Sequence, residues 1–214
     1  MRGARRLAVA GAALLGIVLL SVIGGLAGGF PAAAGISIPS PSGPGAGPSI
    51  TIPPTSGSAG SVLVWAVGHV GKFSYNLGSP TDRGGSVADM QSREPSGSTC
   101  DCSMYVRWAW AQAGVDVGLT TSSQWTANGR LPGSETPVDT PELSRGVGSV
   151  APPGGYQPAD LIFFGHDDGP SGHVALWLGN GQIVQCSSSG GGSNIRSLAG
   201  YVAPTGWVRW NTAG

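Results

Sequence analysis

Thr99-Cys100-Asp101-Cys102-Ser103-Met104-Tyr105-Val106-Arg107-Trp108-Ala109-Trp110-Ala111-Gln112-Ala113-Gly114 is the stretch from which the rest of the chain is read. Asp101 is a good helix N-cap, Val106, Ala109, Trp110 and Ala113 recur at three- and four-residue steps, and Gly114 is a good stop. Cys102 therefore opens a helix. The unpaired N–H groups and the positive dipole end at such a position favour thiolate, lowering a cysteine pKa from about 8.5 to roughly 3.5–7.5. The spacing thus predicts a nucleophile, set against the plainer reading of a buried structural cysteine.

Upstream, the composition is not that of a packed domain. No Lys, Arg, Asp or Glu stands between Leu7 and Gly71. Arg2, Arg5 and Arg6 precede 24 weakly polar residues from Leu7 to Phe30, and Ala32-Ala33-Ala34 follows. Residues 1–34 are read as an export signal, either cut after Ala34 or retained as a single membrane anchor, with the arginines holding the N-terminus inside. Residues 35–60, with Pro39, Pro41, Pro44, Pro48, Pro53 and Pro54, are read as a semi-extended Pro/Gly/Ser tether.

Residues 61–214 make one domain's worth of chain. They carry 8 basic and 11 acidic residues, a formal charge of −3, with no basic stripe for nucleic acid. Three cysteines in an exported chain leave at least one unpaired, and Cys100 and Cys102 are too close in sequence to pair with each other. A lone CxC with three scattered histidines is a poor zinc ligand set, so neither metal nor cofactor is expected.

Along this domain, Ser61 to Val70 reads as a packing helix, with His69 at its boundary and no chemistry assigned to it. Ser79 to Ser98 reads as a polar, Gly-rich loop. Tyr75 before it either packs or turns its hydroxyl into a site. Thr121 to Trp125 reads as a short helix, and Ala127 to Gln157, which has no sustained period, as a long surface excursion. Pro158-Ala159-Asp160-Leu161-Ile162-Phe163-Phe164 reads as a turn into a strand apolar on both faces, hence central in a sheet.

His173-Val174-Ala175-Leu176-Trp177-Leu178 and Gln182-Ile183-Val184-Gln185-Cys186 read as a hairpin. With a three-residue loop at Gly179-Asn180-Gly181, Ala175 faces Gln185 and His173 faces Ser187. His173 and Gln185 then share one face as diagonal neighbours about 7–8 Å apart at Cα. A two-residue loop would send them to opposite faces. The same register turns Cys186 to the other face with Val174, Leu176 and Leu178, as a small buried hydrophobe. Cys102 as nucleophile, His173 as base and Gln185 as the group orienting the ring make a complementary set. His166 is the rival base.

Asp101-Cys102-Ser103 opening a helix, Pro158 to Phe164, and Gly172-His173-Val174-Ala175-Leu176-Trp177-Leu178-Gly179-Asn180-Gly181, in that order, resemble the NlpC-type cysteine peptidases of bacterial cell walls. The resemblance implies an α+β, papain-like core with N-terminal helices packed on an antiparallel sheet. It implies cleavage of peptidoglycan stem peptides between D-glutamate and the diamino acid, with Cys102, His173 and Gln185 as the catalytic set. Tyr75, Asp101 and Ser103 would line the substrate and oxyanion region. Met104, Ala159 and Gln185 depart from the family's usual Gly, Gly and His. A related amidase of the CHAP type and a silent wall-binding domain are the rival readings. Wall remodelling, attack on competitors, and service to a secretion or conjugation machine all fit the sequence equally.

Overall fold

The computed structural model describes residues 36–38, 50–52, 58–78, 82–126, 138–140, 143–149, 151–166 and 169–210. The expected leader, residues 1–34, lies outside the described residues, as does most of the tether. Two short pieces of that tether are strands, β1 (Ile36–Ile38) and β2 (Ile50–Ile52), paired antiparallel in a sheet of their own. Both are proline-free and rich in β-branched residues, Ile-Ser-Ile and Ile-Thr-Ile. Among the described residues no helix is long and apolar enough to cross a membrane.

The remaining elements follow in chain order. The N-terminal half holds α1 (Ser58–Gly68), β3 (Ser74–Tyr75), α2 (Val87–Ser92), β4 (Thr99–Cys100), α3 (Cys102–Ala111) and α4 (Thr121–Thr126). The C-terminal half holds β5 (Val138–Thr140), β6 (Leu143–Val147), β7 (Leu161–His166), β8 (Gly169–Gly179), β9 (Gln182–Ser187), β10 (Gly192–Ser197) and β11 (Gly206–Trp210). One sheet runs in the order β4-β3-β10-β9-β8-β7-β11-β6-β5. All its pairs are antiparallel except β3 with β4.

The α3 helix begins where its cap dictates, with Asp101 accepting from the Met104 N–H at 2.7 Å. All ten of its residues are buried, so it is the axis of the helix layer. Tyr105 donates to the Ala66 carbonyl and joins α3 to α1. Met104, where the family favours glycine, fills the core.

The sheet's period of two sorts its apolar residues cleanly. Leu161, Phe163, Val174, Leu176, Leu178, Val184 and Cys186 pack with the helices, while Ile162, Phe164, Ala175, Ile183 and Trp207 pack on the other side. β7, apolar on both faces, is flanked by β8 and β11.

The described parts of two loops carry more structure than their composition suggests. In the Ser79–Ser98 segment, Ser86 caps α2, and Arg93 reaches Asp82 at 2.5 Å and Asp89 at 2.9 Å. Arg107, buried on α3, donates to the Arg83 and Gly85 carbonyls and pairs with Asp116. In the 127–157 excursion, β6 pairs with β11, and Gly146 lies so close to the Trp207 indole that a Cβ there would overlap it. Gly, Ser and Arg conceal this strand because its partner lies 60 residues on.

The hairpin differs from the expected loop. Gly179 pairs with Gln182, so the turn is the two residues Asn180-Gly181, both at positive φ (51° and 75°) as a tight primed turn requires. The register then shifts between Trp177 and Gly179, and below the shift Trp177 pairs with Ile183 and Leu176 with Val184. One bulged residue plus a two-residue turn restores the alignment that a three-residue loop would have made.

Cys186 does face the helices, but not as a free hydrophobe. It is bonded to Cys100, with Cα atoms 6.3 Å apart, and Cys102 is the free cysteine. A loop closed over 86 residues should stabilise by about 4 kcal/mol through lost entropy of the unfolded chain. Contrary to the reading of Cys186 as a small buried hydrophobe, Cys186→Ala and Cys100→Ala should each lower unfolding free energy by about 2–5 kcal/mol in urea titration. Unchanged midpoints in both would overturn this assignment.

Candidate active site

Three strands, β3, β8 and β9, and the start of α3 carry the candidate residues. Cys102 is the first residue of α3 and is 4 % exposed. The N–H groups of Val174, Ser103 and Cys102 itself are directed at its sulfur. Since the Val174 nitrogen is joined to the His173 carbonyl carbon, the sulfur lies against the His173–Val174 peptide of β8.

His173 pairs with Phe164 across β7 and β8, and their rings lie 5.8 Å apart. Its Nε2 is 2.7 Å from Gln185 Oε1. The Gln185 amide is held in turn, with Nε2 donating to Ser187 Oγ and Asn194 Oδ1, each at 3.2 Å. Asn194 is itself fixed by a 2.6 Å bond to the Gly192 carbonyl. With both amide hydrogens engaged, the Gln185 oxygen must face the ring. Nε2 therefore carries the hydrogen, and Nδ1 is left as the basic atom.

Asp101 and Ser103, expected to line the substrate region, are both buried and serve the helix start. Ser103 Oγ lies 2.9 Å from Asp101 Oδ1, the oxygen that also caps Met104, while Arg83 reaches Asp101 Oδ2 at 3.1 Å. Tyr75, on β3, is half-buried, and its phenol is pushed up to about 12 by burial and then by the charges of Cys102, Asp101 and Tyr201. It stays protonated and can donate. His166, the rival base, stands opposite Gly169 near the end of the β7–β8 ladder. His69 proves to be a packed residue, stacked on Trp65 and 2.6 Å from Glu94.

Electrostatics overturn one expectation. Burial pushes the Cys102 thiol up to about 11, helped by the Asp101 charge, and the N–H groups of Val174, Ser103 and Cys102 do not offset it. Dehydration of the charged form outweighs these hydrogen bonds at a site this enclosed. Burial also pushes His173 below its ordinary value, against the Gln185 bond, which favours imidazolium. Both shifts favour the neutral forms at rest, a thiol at Cys102 and an imidazole at His173.

Ser187, Asn194, Arg83 and Tyr201 were not singled out in the sequence. Ser187 lies two residues beyond Gln185, so the strand period alone would have put it on the same face. Asn194 required the β9–β10 register, in which it pairs with Gln185. Among the described residues no group of three or more His, Cys, Asp or Glu side chains could hold a metal ion.

Cys102 in the free chain should be alkylated by iodoacetamide at a rate rising about tenfold per pH unit between pH 7 and 10. A rate already level by pH 6 would show a standing thiolate and overturn the neutral pair.

Residues 71–210 match the NlpC/P60 family. Peptidoglycan DL-endopeptidase CwlO of Bacillus licheniformis is 35 % identical over 123 residues, 57 % of this chain and 21 % of that protein. Peptidoglycan endopeptidase RipB of Mycobacterium tuberculosis is 35 % identical over 91 residues, 42 % of this chain and 29 % of that protein. The solved structure of RipB aligns at 25 % identity over 73 % of this chain and 66 % of that one, with a TM-score of 0.46. The chain thus spans less than a third of the length of these curated relatives. The family match takes in every candidate residue from Tyr75 through Cys102 and His173 to Gln185, and the chain belongs to the NlpC/P60 family.

Proposed function

We propose that this chain is a peptidoglycan hydrolase that cuts stem peptides, at the bond from D-glutamate to the diamino acid, through Cys102, His173 and Gln185. The observation that carries the reading is the 2.7 Å contact of His173 Nε2 with a Gln185 oxygen whose amide is locked by Ser187 and Asn194. It leaves Nδ1 as the base beside a strand whose next N–H is aimed at the Cys102 sulfur. The names of CwlO and RipB support the substrate class.

In this reading the thiol does not wait as thiolate. His173 Nδ1 takes the sulfur proton as the sulfur bonds to the amide carbon, and the carbonyl oxygen becomes an oxyanion. The Cys102 N–H and the protonated Tyr75 hydroxyl meet that charge. The imidazolium, steadied by Gln185, then gives its proton to the amine as the C–N bond breaks. Water, deprotonated by the same nitrogen, frees the acyl-enzyme and restores the thiol.

The enclosed thiol is the observation that favours a second reading, a wall-binding domain without turnover. Digestion of purified wall fragments, with the products identified by mass spectrometry, separates the two and also distinguishes the CHAP-type bond. Cys102→Ala should lower cleavage by at least about 10³-fold, and Gln185→Ala by about 10–100-fold with KM little changed, because it acts only through His173. Wild-type-like cleavage by Cys102→Ala would end the mechanism.

We further propose that the domain works outside the cytoplasmic membrane, on a cut or retained leader. Support comes from Arg2, Arg5 and Arg6 before the apolar run, and from the Cys100–Cys186 disulfide, a bond that persists in oxidising compartments. Protease added to intact spheroplasts should remove the domain; full protection would place it inside.

A further inference from the structure

The sheet face that carries His173 and Gln185 also carries a cation whose partners are neutral. On β10, Asn194 bonds Gln185, and Arg196, two residues on, leaves the strand on the same side. Its guanidinium is 2.9 Å from Ser189 Oγ and lies over the Tyr201 ring at 5.1 Å. Tyr201 meets Phe164 edge-on at 4.9 Å, and Phe164 lies against His173. An aromatic wall therefore runs from the candidate base to Arg196.

By contrast, Arg83, Arg93, Arg107 and Arg209 are each paired with a carboxylate. Among the described residues no carboxylate pairs with Arg196, which is half-buried and has one flat face taken by Tyr201. Its remaining N–H edge suits a planar anion held by two parallel hydrogen bonds. In the reaction proposed above, on which this inference rests, His173 hands its proton to the departing amine, so the leaving half of the substrate lies on the His173 side of the sulfur.

We infer that Arg196, seated on Tyr201, is the subsite for a free carboxylate on the leaving residue of the substrate, and that the chain selects diamino acids whose side-chain carboxylate is not amidated. The bound carboxylate replaces water on the guanidinium edge, while the aromatic wall covers the aliphatic stem of the diamino acid.

The test is calorimetric binding to the full chain carrying Cys102→Ala. Two probes are used: a dipeptide of a diamino dicarboxylic acid and D-alanine, and the same dipeptide with its side-chain carboxylate amidated. The free carboxylate should bind about tenfold tighter, a preference that Arg196→Gln removes and Arg196→Lys keeps in part. Equal affinities for the two probes, or a preference unchanged in Arg196→Gln, would overturn the subsite. The probe comparison in the Arg196-intact chain stands whether or not Arg196→Gln folds. Digestion of wall fragments by the unmodified chain distinguishes the two failures. Discrimination without cleavage keeps the subsite and removes the peptidase reading, and cleavage without discrimination does the reverse.

Discussion

The bond between Cys100 and Cys186 is the constraint on which the geometry of the site depends. One of its ends is two residues before Cys102, and the other follows Gln185 directly. It therefore ties the start of the central helix to the strand that orients His173. In the sheet, β3 and β10 separate β4 from β9. A strand of two residues such as β4 could not by itself hold a helix terminus against a sheet, and the covalent tie supplies what its few ladder bonds cannot.

Around that tie the polar groups are arranged so that few are idle. Asp101 spends one oxygen on the Met104 N–H and Ser103, and the other on Arg83. Gln185 spends both amide hydrogens on Ser187 and Asn194 and its oxygen on His173. Such networks in a low dielectric are rigid because any broken member leaves a buried polar group unpaired. The same dehydration that stiffens the network keeps the Cys102 proton on sulfur. Rigidity and a standing thiolate are thus opposing demands here, and the enclosed site favours the first.

The Ser79–Ser98 segment illustrates how a polar loop becomes a fixed wall. Arg93 bridges Asp82 and Asp89 and holds the Asp82 carboxyl well below the usual carboxylate range. Its guanidinium also lies over Trp108 of α3, whose indole donates to the Asp82 carbonyl. The segment is fastened to the buried helix by contacts from α3 outward, and it carries Arg83 to the helix cap.

What local chemistry governs was readable in the chain itself: a side-chain cap starting α3 at Cys102 and a double-sided apolar run placing β7 inside the sheet. These depend on neighbours a few residues apart, where spacing and geometry are equivalent. Tertiary structure alone decided the rest. The Cys100–Cys186 pairing, the order in the Ser79–Ser98 segment and the β6–β11 ladder join residues dozens of positions apart, and no local period records them. The hairpin loop was misjudged by one residue, and a bulge beside it restored the register, because packing of both sheet faces constrains the alignment more strongly than the turn does. The protonation of Cys102 could not be read from its place at a helix start, because burial is a property of everything packed around the sulfur, and here it exceeds what the N–H groups directed at the sulfur supply.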